Sequence, residues 1–479
     1  MRSFRVGTMS DEKQASRSGA MARARAYVQG GAFESDLARR VAIPTESQVA
    51  RGLPHLIRYQ HEEMRPSFEA MGFTCEIFDN PVAGCGPVLL AQRLERDGGP
   101  TVLGYGHGDV VQGLDDQWTK GDGPWRTARD GDRVYGRGTA DNKGQHTINL
   151  GALQAVIAER GRLGFSAKVM IEMGEENGSR GVREIMTANR DAFSADVFIG
   201  SDGPRVRMDR PTISLGARGG QSFDLFCDLR QGAHHSGNWG GALADPAMIL
   251  AQALSTIVSP TGELQIPEWR PPEISPAVRE ALRDVVLDGG PDGPAVDADW
   301  GEPGLSPAEN VYAWNSFAVL AMLSGNPDRP VNAIAPWARA RCQLRYIAGT
   351  DRADILPALR QHLDARGFEH VKIALPPPET SDGFSASRTE PDHPWAEWVR
   401  GSLSRSTNAP LAVIPQTGGS ICNDLFTDLL GIPAIWVPHS YSGCSQHAPD
   451  EHILMSLSSN AIELMAGLYW DLGNETTPR

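Results

Sequence analysis

The sequence predicts an α/β protein that has a mostly parallel sheet with helices on both faces and an inserted α+β unit. Over residues 53–199, and again near the end, short β-prone apolar runs alternate with amphipathic helical patterns, which is typical of a parallel sheet covered by helices. Between these parts the strands are longer and alternate in polarity, which favours a separate α+β unit. The 479 residues are also too many for one simple core.

The first part of the chain is predicted to start with a helix and a strand. After a polar leader, apolar residues at helical spacing predict a helix at Leu53–Met71, which Gly72 ends before a β-prone run at Phe73–Phe78. Strands and helices then alternate. The predicted strands are Val88–Gln92, Thr101–Tyr105, Lys168–Met173 and Asp196–Ile199, and the predicted helices are Thr147–Glu159 and Val182–Asn189.

The pattern changes near Pro211 and the α/β alternation returns near Pro376. We therefore predict one discontinuous α/β domain, residues 1–208 and 376–479, interrupted by an inserted domain at 209–375. The inserted part is predicted to contain strands at Gln221–Leu229 and Arg339–Ile347, helices at Pro246–Ile257, Pro276–Val286 and Arg352–Ala365, and a loop at Gly289–Pro307. The last part is predicted to contain strands at Leu411–Ile414 and Ala434–Val437 and a closing helix at Ile453–Leu468.

The charge and the cysteines restrict the possible partners and location. Lys and Arg together number 45 against 59 for Asp and Glu, so the net charge of −14 argues against binding to nucleic acid or an anionic membrane. The N-terminal segment has no apolar signal-peptide core, and no run approaches the roughly 20 apolar residues needed to cross a bilayer. The six cysteines are spread singly, without a disulfide framework. We expect a soluble, cytoplasmic protein with reduced thiols.

Potential metal ligands follow the predicted strands, where open parallel sheets place their sites. In GHGD, His107 and Asp109 are two residues apart on extended chain, so both side chains face the same way, and Asp109 can fix the imidazole of His107. In YGRGTADNKG, Asp141 lies in a glycine-rich loop just before a helix. Taken alone, the first pair could be a surface turn and Asp141 could be a helix N-cap.

Three more acidic or imidazole groups occupy similar positions. MIEMGEENGS places Glu175 and Glu176 side by side after an apolar strand, where adjacent carboxylates repel unless cations or a shared proton offset them. One can bind a metal while the other acts as a general base. Asp202 follows the Asp196–Ile199 strand, and His447 lies between the last strand and the closing helix. Each could be an ordinary loop residue if seen alone.

Together these groups predict a site for two divalent ions. Two histidines and three carboxylates can give each ion a nitrogen ligand, a terminal carboxylate and one bridging carboxylate. Nitrogen and oxygen ligands without thiolate suit catalytic zinc, with cobalt or manganese as possible substitutes. The glycines around Arg137 lack the Lys-Ser/Thr of a phosphate-binding loop, and no Ser-His-Asp arrangement competes.

In these five motifs and in their order, the sequence resembles the cocatalytic zinc exopeptidases and amidases. This family includes carnosinase, acetylornithine deacetylase, succinyl-diaminopimelate desuccinylase and aminoacylase. The resemblance extends from about Leu37 to Leu468. The resemblance implies that Glu175 is the general base and that a cis peptide follows Asp141. It also implies that the inserted domain is a ferredoxin-like lid and dimerisation domain. The implied metal residues are His107 and Asp202 on one zinc, Glu176 and His447 on the other, Asp141 bridging both, and Asp109 supporting His107.

The same resemblance extends into the inserted domain. GAHHSGNWGG is similar to the stretch that, in carnosinase-like members, donates a histidine across a dimer interface to the reacting carbonyl oxygen, and His235 is the matching position, with His234 as an extra neighbour. Asn332 and Arg345 match positions that grip the substrate, and a guanidinium can hold a carboxylate through two parallel hydrogen bonds. The turn TGGSIC, with Gly418, Gly419 and Ser420, resembles a substrate-lining turn.

The expected reaction is metal-dependent hydrolysis of an amide bond in a small substrate with a free carboxylate, either a dipeptide or an N-acyl amino acid, carried out by a homodimer. An amidohydrolase acting on a non-peptide amide or ureido compound is the alternative, and a non-catalytic metal-stabilised binding protein is a third. Two departures from the family pattern affect side-chain specificity. These are Ala333-Ile334-Ala335-Pro336 after the lid asparagine and the long insertion at Ile274–Pro307.

Overall fold

The computed structural model describes residues 15–95, 99–287, 294–297, 299–377 and 384–478. Within them, twelve strands form two larger sheets. In chain order these are β1 (Thr74–Phe78), β2 (Val88–Arg93), β3 (Thr101–His107), β4 (Ser166–Glu172), β5 (Val197–Gly200), β6 (Thr212–Ser214), β7 (Gly219–Asp228), β8 (Ser316–Leu323), β9 (Trp337–Tyr346), β10 (Lys372–Ala374), β11 (Ala412–Ile414) and β12 (Ala434–Trp436).

The larger sheet has eight strands in the order β1-β2-β4-β3-β5-β12-β6-β11. The pairs β4-β3, β3-β5, β5-β12 and β6-β11 are parallel, and the others are antiparallel. The predicted mostly parallel α/β sheet is therefore confirmed. Because β3, β4 and β5 run in one direction, their carboxyl ends meet at the same edge of the sheet.

Helices cover both faces of this sheet, as predicted. The hydrophobic core on one face includes residues of Arg17–Gln29, Lys143–Arg160 and Met455–Leu472. The core on the other face includes residues of Val182–Ala188 and of a π-helical turn at Leu425–Leu430. Each sheet face thus buries its own apolar layer, which holds the strand ends rigidly in place.

The shorter elements complete the described chain. The other helices and helical turns are Ala32–Val41, Ala50–Gly52, Leu53–Arg58, Tyr59–Met64, Arg65–Glu69, Asp115–Gln117, Glu175–Asn177, Arg190–Phe193, Ser236–Trp239, Pro246–Ile257, Pro267–Trp269, Pro276–Leu282, Pro307–Tyr312, Arg352–Asp354, Ile355–Asp364 and Pro394–Ser404. The other strands are Ala128–Asp130, Arg133–Tyr135, Pro204–Arg205, Gly216–Ala217, His234–His235, Ala333–Ile334, Ser387–Arg388, Ser440–Tyr441 and His452–Leu454.

The region before Leu53 is not simply a polar leader, because it contains the helices Arg17–Gln29 and Ala32–Val41. The first of these buries Ala20, Ala24 and Val28 in the core beside the closing helix. These small side chains, at spacings of four residues, let the helices approach closely, but they give little hydrophobic signal in the sequence. Tertiary packing therefore defines this helix more than its own apolar content does.

The smaller sheet is antiparallel, with the order β8-β9-β7-β10. The helices Pro246–Ile257 and Ile355–Asp364 contribute to its hydrophobic core. β6 belongs to the eight-stranded sheet, although it lies after residue 208, where the inserted domain was predicted to begin. The division of the chain at 208/209 and 375/376 stays a prediction. The predicted loop Gly289–Pro307 lies partly outside the described residues.

A search of the helices in the described part of the chain finds none that combines the length and the apolarity needed to span a bilayer.

Candidate metal centre

The carboxyl ends of β3 and β5 bring a histidine and two carboxylates together. His107 is the last residue of β3 and is fully buried. Its Nε2 lies 3.0 Å from Oδ1 of Asp141 and 3.7 Å from Oδ2 of Asp202, which comes two residues after β5. One ligand atom from each of the three residues lies within 4.8 Å of the others. This group can hold one metal ion.

A second group shares Asp141 with the first. Nε2 of His447 lies 3.2 Å from Oδ2 of Asp141 and 3.1 Å from Oε2 of Glu176. The ligand atoms of Asp141, Glu176 and His447 again lie within 4.8 Å of one another. Asp141 thus presents one oxygen to each group. The five residues predicted as metal ligands converge, and the peptide Asp141-Asn142 is cis, as the family resemblance implied.

Asp109 contacts residues of both groups. Its Oδ1 lies 3.4 Å from Nδ1 of His107, whose ring also lies 3.0 Å from the main-chain oxygen of Asp109. The two carboxylate oxygens of Asp109 accept hydrogen bonds from the backbone N–H groups of Glu175 and Glu176, each at 3.2 Å. Asp109 therefore orients the imidazole of His107 and the turn that carries both glutamates.

The pKa values of the carboxylates reflect their crowding. Burial and the negative charge of Asp141 raise the pKa of Glu176 to about 7 and that of Asp202 to about 6. Burial also raises the pKa of Glu175 well above its usual range, with Asp202 and Glu176 adding to the shift. These buried carboxylates therefore repel one another unless a cation or a proton offsets their charge.

The two histidines partly balance this charge. Hydrogen bonds to Asp141 and Glu176 raise the pKa of His447 to about 11. Burial opposes protonation of His107, but contacts with Asp109 and Asp141 outweigh it and raise its pKa well above the usual value. The carboxylates around both imidazoles therefore favour positive charge at this position, which a divalent cation can supply.

The donor set fits divalent metal ions. Each group offers one imidazole nitrogen and two carboxylates, and no thiolate belongs to either group among the described residues. Such nitrogen and oxygen donors are typical of catalytic zinc and of manganese or cobalt. Glu175 belongs to neither group, and within the described chain its carboxyl group makes no hydrogen bond, so it remains available to move a proton.

Glu451 supports the Asp141 loop, and the sequence analysis did not identify it. Its buried carboxylate accepts hydrogen bonds from the backbone N–H groups of Gly138 (3.0 Å), Ala140 (2.9 Å) and Asp141 (3.0 Å) and from Nη1 of Arg137 (2.8 Å). It lies four residues after His447 in the sequence. With its four donors, this carboxylate fixes the backbone of one candidate ligand, Asp141, and lies in the same loop as another, His447.

A cavity of about 830 Å³ opens beside the metal groups and is lined by Glu175, Glu176 and His447. Of the predicted substrate-binding residues, Arg345, Gly419 and Ser420 also line it. Gly418 is not one of its lining residues, and its carbonyl oxygen instead accepts hydrogen bonds from Arg218.

His235 and Asn332, which the family resemblance assigns to the reacting carbonyl and to the substrate, lie next to each other but outside this cavity. His235 pairs with Ala333 in a two-residue ladder, and the backbone N–H of Ser236 donates to the oxygen of Asn332 at 2.9 Å. Both His235 and Asn332 are exposed, and neither lines the cavity of the described chain. Within one subunit, the structure does not bring these two residues to the metal groups.

The model of peptidase family M20/M25/M40 matches residues 103–471, a span that contains all of the metal-binding candidates. The chain belongs to this family. Metallopeptidases of the M20 family use divalent metal ions, in agreement with the two groups described above.

Individual relatives support this assignment. The cysteinylglycine-S-conjugate dipeptidase of Corynebacterium striatum is 31% identical over 374 residues, which cover 75% of this chain and 78% of that protein. The Beta-Ala-His dipeptidase of Mus musculus is 33% identical over 184 residues, or 38% of this chain and 37% of that protein. The M20 family metallo-carboxypeptidase Sso-CP2 from Sulfolobus solfataricus has the same fold. Its TM-score is 0.76 at 22% identity, covering 92% of this chain and 99% of that one.

Proposed function

We propose that this protein hydrolyses an amide bond in a small substrate that carries a free carboxylate, either a dipeptide or an N-acyl amino acid, and that it needs divalent metal ions to do so. The observation that carries the proposal is Asp141, which presents one oxygen to each of two histidine–carboxylate groups beside an unbonded glutamate. Dipeptidase relatives that match most or part of the chain support the same reaction.

The metal residues are proposed to divide into two sets that share Asp141. His107 and Asp202 would hold one ion, and Glu176 and His447 the other. The proposed ions are zinc, with cobalt or manganese as alternatives, because imidazole and carboxylate donors suit all three. Asp109 would act on these ligands by orienting His107.

When bound, the ions would lower the pKa of a water molecule and stabilise negative charge on the carbonyl oxygen of the substrate. Glu175 is the proposed general base. It lines the cavity beside the metal groups, and its carboxyl group makes no hydrogen bond within the described chain, so it is free to exchange a proton. Glu175 would accept a proton from the attacking water and pass it to the departing amine nitrogen.

Arg345 is proposed to bind the free carboxylate of the substrate. Its Nη1 donates to Oγ of Ser420 at 2.6 Å and its Nε to Oε1 of Gln343 at 2.9 Å, which orients the guanidinium at the cavity wall. Gly419 and Ser420 line the same wall and can approach the substrate through their backbone. A fixed guanidinium loses little entropy on binding a carboxylate, so it gives both affinity and orientation.

We also propose a homodimer formed through the lid, with His235 acting in the partner's site and Asn332 gripping the substrate beside it. The edge strand β8 supports this, because Val319, Leu320 and Leu323 are exposed on it. An unprotected apolar edge strand is a typical pairing surface. The exposed position of His235, outside the cavity of its own chain, fits a residue that completes another site.

The cytoplasm is the proposed location. All six cysteines are unpaired thiols, four of them buried, as expected in a reducing compartment.

The direct test is hydrolysis by purified protein that is stripped with a chelator and reloaded with zinc, manganese or cobalt. The panel should contain dipeptides, N-acyl amino acids and ureido acids, analysed by mass spectrometry. Metal-dependent cleavage of dipeptides or N-acyl amino acids, reduced about 10²–10⁴-fold in Glu175→Gln, is expected. Cleavage of ureido acids alone would support the alternative amidohydrolase, and tight metal binding without any hydrolysis would support a binding protein.

A further inference from the structure

The charges that line the substrate cavity are unevenly distributed. Its acidic residues are Glu175 and Glu176, which the proposed function assigns to proton transfer and metal binding. Its basic side chains, apart from His447, are Arg345 and Arg180. Once the metal centre has taken its ligands, the remaining charged groups of the described lining are the carboxylate of Glu175 and the guanidinium groups of Arg345 and Arg180.

Arg180 differs from Arg345 in its environment. Arg345 is half-buried and held by Ser420 and Gln343, whereas Arg180 is exposed at the end of the turn that carries Glu175 and Glu176. Within the part of the chain that the structure describes, no acidic side chain pairs with the Arg180 guanidinium. Cys85 lines the same cavity, where burial raises the pKa of its thiol and the positive charge of Arg180 partly opposes that shift.

Arg180 and Arg345 reach the cavity from different parts of the chain. Arg180 comes four residues after Glu176 and two after the cavity-lining Gly178, while Arg345 lies on β9 of the smaller sheet. If Arg345 binds the carboxylate of the amine product, the acyl part of the substrate extends from the metal groups away from Arg345, and Arg180 is the other arginine of the described lining that is available to contact it.

We infer that this site favours substrates whose acyl part carries a second anionic group, which Arg180 binds, over substrates with a free ammonium group there. This inference rests on the proposed function, which leaves dipeptides and N-acyl amino acids open. An ammonium group would meet the positive charges of Arg180 and the metal ions, and the one carboxylate of the described lining outside the metal groups is Glu175, which the proposed function assigns to proton transfer. A carboxylate would gain a charge-assisted hydrogen bond from the Arg180 guanidinium.

Three acyl groups of equal length test this directly when they are attached to the same amino acid. Succinyl ends in a carboxylate, butyryl in a methyl group and β-alanyl in an ammonium group. For the metal-loaded wild-type protein we expect kcat/KM to decrease in that order. An ion pair of this kind is expected to make succinyl about tenfold better than butyryl.

Variants of Arg180 identify the cause of the preference. Arg180→Gln should lower kcat/KM for the succinyl substrate about tenfold and leave the butyryl substrate nearly unchanged. Arg180→Glu should place β-alanyl above succinyl. Arg183→Gln is the matched control, since it removes the same charge three residues away, from a side chain that is bonded to Asp424 and does not line the cavity.

These kinetics test the role of Arg180 separately from the metal-dependent hydrolysis. No metal-dependent hydrolysis of any of the three substrates would overturn the proposed function. Hydrolysis with β-alanyl preferred in the wild type, or an equal loss for all three substrates in Arg180→Gln, would overturn only the assignment of Arg180. A selective loss of succinyl activity in Arg180→Gln, with Arg183→Gln behaving as wild type, is the expected result.

Discussion

Oε1 of Glu451 accepts a hydrogen bond from the backbone N–H of Asp141 at 3.0 Å, although 310 residues separate them in the sequence. Because Asp141 belongs to both candidate metal groups, and Glu451 follows His447 in the same loop, this contact connects ligands from distant parts of the chain. The geometry of the shared carboxylate therefore depends on a residue that belongs to neither metal group.

Glu451→Gln should weaken metal binding about 10–100-fold, as is typical when a group that orients a ligand is altered. The amide can no longer accept from all four donors, and Arg137 loses its buried counter-charge. Affinity is measured by competition with a chromogenic chelator, at a temperature where circular dichroism shows a native fold. Glu172→Gln is the control, because that buried carboxyl is bonded to Tyr105 and Ser179 instead. Equal affinities in both variants would refute the role of Glu451.

Arg345→Lys should raise KM about 10–100-fold with a smaller effect on kcat, because lysine cannot reproduce a two-point grip on a carboxylate. Steady-state kinetics with the best substrate measures both constants. Arg341→Lys is the matched control on the same strand, since Arg341 binds Asp224 and does not line the cavity. An unchanged KM in Arg345→Lys would place the substrate carboxylate elsewhere.

Mixing two inactive variants tests the action of His235 across a dimer. In a heterodimer of His235→Ala and Glu175→Gln, one site regains both an intact Glu175 and an intact partner histidine. Random exchange of subunits should therefore restore about a quarter of wild-type activity, as expected for a two-fold dimer. Size-exclusion chromatography checks that exchange has occurred. No recovery after complete exchange, or full activity of a stable monomer, contradicts this role.

The buried Glu172 should make stability depend on pH. Burial, together with the charge of Asp109, raises its pKa to about 7, whereas an unfolded glutamate titrates near about 4.3. The folded state thus binds this proton more tightly, and the stability it contributes is present at low pH and lost as the pH rises from about 4.5 to about 7.

The measurement is urea unfolding of metal-free wild type and Glu172→Gln between about pH 5 and about pH 8. The wild type should lose about 2–3 kcal/mol relative to the variant over this range. The effects of the other titrating groups are common to both proteins and cancel in the difference. Parallel pH curves for the two proteins would show that Glu172 is already ionised in the folded state.

The metal candidates could be predicted from the sequence because each follows a strand within a short motif. His107, Glu176 and Asp202 need only the direction of a parallel sheet to meet at one edge. Glu451 was missed although it stands beside His447 in the sequence, because its partners lie in the loop 137–141 and nothing local indicates burial. Arg180 gave no periodic or motif signal either, and only the cavity reveals its position.

The central strands of the fold were predicted better than its exposed edge strand β8. Strands β3, β4 and β5 lie within two residues of their predicted bounds, since apolar runs buried on both faces are strong signals. The exposed strand β8 was not predicted, although its run Ser316–Leu323 is largely apolar. Within the described chain, β8 packs no apolar layer over its exposed side chains, so nothing in the sequence distinguished it from a loop.

The most direct test of the account is anomalous diffraction from crystals of the zinc-loaded Glu175→Gln variant. Two zinc peaks about 3.5–4 Å apart, on either side of the Asp141 carboxylate, are predicted. One should lie beside His107 and Asp202, and the other beside Glu176 and His447. A single peak, or peaks that do not contact Asp141, would contradict the shared metal centre.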